Sequence, residues 1–405
     1  MFTTAARGLS MQVEREFRRQ LPTIFLARTT LNTAHRIVYP FLPSIARGLG
    51  ITLQAAGGLV TLRLAAGIAA PVLGPLGERH GRRRTMEFGL LLFTFACLLL
   101  AALGTFLTAA IAFLLLGFAK VLYDPAVHAY VGDTVPYRQR GQAVGLVELS
   151  WSMAWLVGVP ASALLIAQFG WRAPWAVMAA LGLISVWLTH RRLPPSSPQG
   201  RHGSSPFFAK SLIATWRTLL ANWPVVSLLL TSFLLSMAIE VPFIVYGAWL
   251  EEEFGLSITA LGFASIIVGL AEASAEIGTT LVTDRLGKRR SVLLGLLGLA
   301  ASLAVLPWLS QHGLAAALAG VVLMVLTFEF GIVSLLPLAT ELAPNRRASL
   351  LSLNVGAFSL GRILGATLGG LLWQWHNIAW HAALGVSCAL LAALALAIGV
   401  QEVGE

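Results

Sequence analysis

Charge is what this chain most lacks. Only 11% of its 405 residues are Asp, Glu, Lys or Arg, against about 25% in soluble domains. A water-soluble fold of this length is excluded for want of polar surface. Cysteine is nearly absent: Cys97 and Cys388 both lie in apolar runs, which excludes a disulfide scaffold. There is no His-x-x-x-His or Cys/His metal set, no glycine-rich nucleotide loop followed by Lys, and no nucleophile–base spacing; the eight histidines are scattered. These gaps argue against a membrane enzyme and against a primary pump, and predict no cofactor, no metal and no catalytic residue. What the chain has is apolar: 57% hydrophobic residues, too many for a disordered or collagenous chain. A polytopic membrane protein remains.

A membrane-crossing helix needs about 20 apolar residues. Twelve such runs lie near 21–45, 53–76, 86–107, 109–132, 142–166, 171–190, 224–249, 259–282, 291–310, 314–340, 350–373 and 379–400. The first 20 residues carry Arg7, Arg15, Arg18 and Arg19 with Glu14 and Glu16, which predicts a cytoplasmic amphipathic lead-in rather than a cleaved signal. With the N-terminus inside, 21 of the 28 lysines and arginines fall in cytoplasmic segments, and Arg47 and Arg172 alone fall outside. That bias predicts cytoplasmic termini. It also accounts for the net charge of +10 without nucleic acid.

The long polar interruption, 191–223, contains Pro194-Pro195-Ser196-Ser197-Pro198 and Gly203-Ser204-Ser205-Pro206, a linker composition. Its end, with Lys210, Trp216, Arg217 and Trp223, fits a helix lying along the membrane surface. The expected organisation is a lead-in (1–20), a six-helix bundle (21–190), this linker, a second six-helix bundle (224–400) and a tail (401–405). The halves echo each other. Gly74-Pro-Leu-Gly-Glu78-Arg79-His-Gly81-Arg82-Arg83-Arg84 recurs 206 residues later as Thr280-Leu-Val-Thr-Asp284-Arg285-Leu-Gly287-Lys288-Arg289-Arg290. Asp133-Thr-Val-Pro136-Tyr-Arg138 returns as Glu341-Leu-Ala-Pro344-Asn-Arg346. A duplicated six-helix unit is a transporter architecture, with the substrate site near mid-membrane between the halves.

These residues resemble the major facilitator superfamily, whose loop signature G-x-L-x-D-R-x-G-R-R matches Gly74 to Arg83 with Glu78 in place of Asp. Asp133-x-x-Pro136-x-x-x-Arg140-Gly141 and Phe169-Gly170-Trp171-Arg172 resemble two further family patterns. The resemblance implies an all-α membrane fold of twelve transmembrane helices in two six-helix pseudo-symmetric halves. It also implies alternating access, a monomer and a gating role for the loops. In that role Gly74, Glu78, Arg79, Gly81, Arg82 and Arg83, with Asp284, Arg285, Gly287 and Arg289, close the inner face. The drug-exporter marks are missing or degraded: Phe113 stands where their span-four Arg belongs before Gly117, and span five reads Gly158-Val-Pro160-Ala-Ser162.

Eleven charged residues lie within spans, each costing about 2.5–3.5 kcal/mol at mid-membrane, and each is therefore a functional candidate. Arg28, Asn32 and Arg36 share one face of span one; Lys120, Asp124 and His128 share one face of span four. Lys120–Asp124 reads equally as a structural pair, and Glu148 is placed to meet Arg28. The expected substrate set is Arg28, Asn32, Arg36, Arg63, Lys120, Asp124, Glu148, Trp151, Tyr246, Glu329 and Arg362, with Arg36 the leading anion contact. Glu272 and Glu276 stand one turn apart in span eight. Two carboxylates so close in low dielectric resist ionising together, which suits proton coupling. The bland reading is a salt bridge to Arg362. Glu240, beside Pro242 at a kink, joins the coupling set.

Sorted by half, in-span charges leave a formal +2 before the linker (Arg28, Arg36, Arg63, Lys120 against Asp124, Glu148) and a formal −3 after it (Arg362 against Glu240, Glu272, Glu276, Glu329). The expectation is a secondary transporter in the cell inner (plasma) membrane for a small anionic, zwitterionic or amphiphilic, lipid-like substrate, coupled to protons. The alternatives are a cationic-drug:proton antiporter and a non-transporting receptor or sensor. The partners are then substrate, protons and bilayer, with no nucleic acid.

Overall fold

The computed structural model describes residues 2–73, 80–135, 140–195, 214–343 and 346–400. The described residues fold as helices without strands. Ten of these helices are long and apolar enough to cross a membrane, or eleven if the pair Val38–Leu49 and Leu53–Ala69, bent by 119°, is counted as one span. The ten correspond to the third through twelfth expected spans. The first two expected spans are broken, and the breaks have local causes.

Helix α1 (Phe2–Arg36) stops at Arg36, and α2 (Val38–Leu49) begins after Ile37. Pro40 has no N–H to give the carbonyl of Arg36, and its ring crowds that carbonyl. Phe41, at φ −110° and ψ 15°, leaves the helical region as well. Helix α3 (Leu53–Ala65) passes through a 3₁₀ turn, Ala66–Ala69, into α4 (Ala70–Leu73). Next come α5 (Arg82–Ala102), α6 (Phe106–Thr134) and α7 (Arg140–Met153). A π-helical turn, Ala154–Gly158, leads into α8 (Val159–Phe169), followed by α9 (Ala173–Arg192).

After the linker, α10 (Trp223–Phe243) ends just past Pro242 and α11 (Tyr246–Phe254) resumes two residues later. The remaining helices are α12 (Ile258–Leu286), α13 (Lys288–Ser310), α14 (Leu314–Leu342), α15 (Arg347–Leu372) and α16 (Ile378–Gly399).

Two compact units result, Met1–Ile37 with Val72–Gly203, and Val38–Pro71 with Ser204–Glu405. The division is not a simple cut at the linker. Segment 38–71, expected with the first half, packs with the second unit: α3 lies on α15 and α2 on α11. In the first unit α5 packs against α6 and α9, and α1 against α7 and α9. In the second, α10 packs against α15 and α16, and α13 against α14 and α16. Cys97 and Cys388 are buried free thiols.

The sequence repeat is repeated geometry. Gly81 (φ 87°, ψ 144°) and Gly287 (φ 88°, ψ 145°) both precede a helix, α5 and α13. This backbone conformation favours glycine. Thr85 Oγ1 donates to the Gly81 carbonyl at 3.1 Å, and Ser291 Oγ to that of Gly287 at 2.8 Å. The two sequence echoes meet in each unit: Arg82 Nε pairs with Asp133 Oδ2 at 3.2 Å, and Lys288 Nζ pairs with Glu341. Arg83 Nη1 donates to the Leu193 carbonyl at 3.0 Å, and Arg289 Nη2 to that of Ala397 at 2.9 Å. Thr52 caps α3 and Ser257 caps α12. Gly74, Glu78 and Arg79 lie outside the described residues, as does the side chain of Asp284.

Candidate functional site

The first unit gathers seven of the expected residues into one network. Arg28 is 2% exposed, and its guanidinium reaches Glu148 Oε2 at 3.0 Å, Asp124 Oδ1 at 3.4 Å and the Val147 carbonyl at 2.9 Å. Lys120 Nζ reaches Asp124 Oδ2 at 2.8 Å and donates to Asn32 Oδ1 at 2.6 Å. Asn32 Nδ2 donates to Ser150 Oγ at 3.2 Å, and His128 Nε2 meets Glu148 Oε1 at 3.2 Å. The i, i+4 spacing on α1 and on α6 makes this convergence, since each row of side chains stacks on one face.

Aromatic rings complete the cluster. Arg36 Cζ lies 4.4 Å from the Trp151 ring centroid and 5.0 Å from that of Trp155, and Lys120 Nζ lies 4.0 Å from Trp151. Trp155 sits in the π-helical turn ahead of Pro160. One extra residue in that turn shifts the helix face presented downstream, and such turns often occur at functional sites. Arg28, Arg36 and Lys120 stand against Asp124 and Glu148, a formal excess of one positive charge. His128 and Ser150 lie outside the expected substrate set, and Trp155 is a cavity-lining candidate by its place beside Trp151 on span five. The spacing of His128 from Asp124 was the available signal; Ser150 had none, being an ordinary hydroxyl in a helix.

The second unit gathers a different group. Glu240, 2% exposed, accepts from Arg362 Nε at 2.7 Å and from the Tyr39 hydroxyl at 2.9 Å. Arg362 Nη2 also donates to the Tyr39 hydroxyl. Arg63, buried on α3, lies 5.7 Å from the Tyr39 ring centroid. Tyr39 was absent from the expected set, because a lone tyrosine beside a proline carries no spacing signal. Tyr246 is buried and stacks on Phe243 at 5.6 Å.

Arg362 is thus held by Glu240. Glu272 is buried and Glu276 half-buried on α12, and Glu329 is half-buried on α14, the helix packed against α12. The sequence expected Arg63 among the charges of the first half, but it lies in the second unit. The first unit then carries a formal +1, and the second a formal −2 from Arg63 and Arg362 against Glu240, Glu272, Glu276 and Glu329. The sign of the polarity is that expected, with a smaller amplitude.

The described residues of the loop signature anchor helix ends. Arg82 and Arg83 join the start of α5 to Asp133 after α6 and to the end of α9. Arg289 does the same for α13 and α16. Arg285 sits in the last turn of α12, before Gly287.

Comparison with known proteins gives these arrangements a family. The Major Facilitator Superfamily profile matches residues 24–243 and 228–402. The uncharacterized MFS-type transporter YceJ of Bacillus subtilis (strain 168) is 23% identical over 351 residues, covering 86% of this chain and 88% of that protein. Multidrug resistance protein 2 of the same organism is 26% identical over 350 residues, covering 84% of each. The crystal structure of a D-xylose-proton symporter shares the fold, with a TM-score of 0.76 at 18% identity over 94% of this chain and 97% of that one. A duplicated helical unit with charged helix-end anchors, matched along nearly its whole length, places the chain in the major facilitator superfamily of membrane transporters.

Proposed function

We propose that the protein is a secondary active transporter for a small substrate bearing an anionic or zwitterionic group, lipid-like amphiphiles included. It works by alternating access, coupled to protons, as a monomer in the inner (plasma) membrane with both termini cytoplasmic. The supporting observation is Arg36 on the faces of Trp151 and Trp155, beside the Arg28–Lys120–Asp124–Glu148 network. A cation–π contact holds a guanidinium in place without cancelling its charge. An anionic group entering beside Arg36 meets a positioned cation, and the indoles supply apolar surface for the rest of the molecule. A cationic substrate meets the opposite, a like charge in a low-dielectric site.

Arg28, Asn32, Lys120, Asp124 and Glu148 set the geometry around Arg36. Glu272 and Glu276, one turn apart on α12, and Glu240 are the proton carriers in this reading. Glu78 and Asp284, with their flanking glycines and arginines, act as the inner gate. The test is binding of matched anionic, zwitterionic and cationic ligands to wild type and to Arg36→Gln. Anions should bind wild type and lose at least tenfold in the variant, about 1.4 kcal/mol. Tight cation binding that ignores Arg36 would overturn the reading in favour of a cationic-drug exporter.

A further inference from the structure

The first unit holds a second charged site, at the ends of its helices and away from the Arg36 cluster. A cavity of about 740 Å³ is walled by Arg19, Gln20, Arg83, His190, Arg191 and Arg192. Three elements supply it: α1, the start of α5 and the end of α9. Arg83 is committed to structure, with Nε on Glu87 Oε1 at 2.8 Å, Nη1 on the Leu193 carbonyl at 3.0 Å and Nη2 beside His190 Nδ1 at 2.8 Å. His190 Nδ1 also lies 3.2 Å from Glu87 Oε1. Glu87 pairs with Arg83 and His190, and Arg19, Arg191 and Arg192 add three exposed arginines to the wall. Gln20 adds a donor, because its Oε1 already accepts from the Tyr130 hydroxyl at 2.7 Å and its amide N–H groups remain.

The internal repeat shows that the fold does not require this basic wall. Arg289, 206 residues after Arg83, makes the equivalent bond to a helix-end carbonyl. Leu293 stands 206 residues after Glu87, and with Leu193 matched to Ala397 by the shared anchor, the counterparts of His190, Arg191 and Arg192 are Leu394, Ala395 and Leu396. The same anchor is built in both units, and only the first surrounds it with arginines.

The adjoining surface is apolar. Phe88, Leu91 and Phe95 on α5, and Leu183, Ile184 and Trp187 on α9, are exposed along the two helices that carry the pocket. Arg191 Cζ lies 5.8 Å from the Trp187 ring centroid, an aromatic of the kind that marks the membrane interface. Basic pockets at helix ends on the cytoplasmic side recognise anionic headgroups.

We propose that this pocket binds the phosphodiester headgroup of an anionic membrane phospholipid, with the acyl chains lying on the exposed apolar faces of α5 and α9. The site is independent of the transported substrate. Inorganic phosphate shares the headgroup chemistry but cannot use the apolar faces, so it distinguishes a lipid from a soluble anion.

The experiment is thermal unfolding of the purified full chain in detergent, titrated with short-chain phosphatidylglycerol, phosphatidylcholine or inorganic phosphate. Phosphatidylglycerol should raise the midpoint with saturation, and the other two should not. The Arg191→Gln/Arg192→Gln double variant should bind phosphatidylglycerol about 25-fold more weakly, about fivefold per arginine. The Arg346→Gln/Arg347→Gln variant, also exposed and basic, should bind as wild type. Arg19→Gln, with about a fivefold loss, keeps the test open if the double variant does not fold. An equal shift with inorganic phosphate, equal losses in both arginine pairs, or no shift with phosphatidylglycerol would each overturn the proposal.

Discussion

In the first unit, the charges around Arg28 form a branched network; in the second, those around Glu240 converge on one carboxylate. Arg28 serves both Asp124 and Glu148, Asp124 serves both Arg28 and Lys120, and Glu148 serves both Arg28 and His128. Glu240 instead receives Arg362 and Tyr39, which also bond to each other, closing a ring. Each cluster has a sealed member and a more open one: Arg28 and Glu240 are each 2% exposed, while Glu148 is 32% and Arg362 26% exposed. A branched network has spare partners to exchange. The ring shares one carboxylate between two partners and ties α2 to α10 and α15. One arrangement suits a site that must receive a ligand, the other a carboxylate whose protonation loosens two partners at once.

The largest expected effect tests this contrast directly. Glu240→Gln removes the buried carboxylate that Arg362 and Tyr39 share and leaves a half-buried guanidinium without it, a loss of about 3 kcal/mol. Lys120→Gln leaves Asp124 paired with Arg28 and brings the formal charge of the first cluster to zero. Its cost should be about 1 kcal/mol or less, in line with polar contacts between membrane helices. Thermal unfolding of both purified variants measures the difference. The double variant Glu240→Gln/Arg362→Gln should be less damaging than the two single losses added, because the ion pair leaves as a unit. Equal losses for Glu240→Gln and Lys120→Gln would erase the distinction between ring and branch.

Tyr39→Phe sharpens the comparison at a smaller scale. The phenol donates to Glu240 and accepts from Arg362, and its removal leaves the ion pair in place. The expected loss is about 1.5–3 kcal/mol, the range for a hydrogen bond to a charged group. The ring packs at 5.0 Å from Phe243, a contact that Phe preserves, so the measured loss belongs to the hydroxyl. A loss within experimental error would show that the ion pair alone holds the joint.

What the sequence disclosed, and what it did not, follows from how local each signal is. Twelve apolar runs, the duplicated loop and the i, i+4 rows on α1 and α6 are periodic patterns, and periodicity survives in one dimension. Arg28 meeting Glu148 followed from depth in the membrane, which a span position approximates. The break at Arg36 was encoded in Pro40 and Pro43, yet the run 21–45 reads as one span because proline leaves hydropathy unchanged. The consequence of that break was not legible. Segment 38–71 packs with the second unit, and nothing local says which partner a broken helix will choose. Tyr39 and Arg63 therefore joined a cluster with Glu240 and Arg362 that spacing could not assemble, since they stand 201 residues or more from their partners in the cases of Tyr39–Glu240 and Tyr39–Arg362.

The smallest expected effect concerns the one feature the two units share. Arg82–Asp133 and Lys288–Glu341 occupy equivalent places, each joining the start of one helix to the end of the helix it packs against. Their side chains are 13% and 36% exposed in the first pair, and 28% and 35% in the second. Partly hydrated pairs gain little, because water competes for both charges and salt screens them. Arg82→Gln and Lys288→Gln should each cost less than about 1 kcal/mol, with the loss shrinking further at high ionic strength. The two losses should also be alike, since both pairs have the same glycine-led turn before them and the same helix-end neighbour. Unfolding midpoints at low and high salt provide the measurement. A clearly larger cost for one of them would show that duplication preserved the shape of the anchor while its load moved to one half.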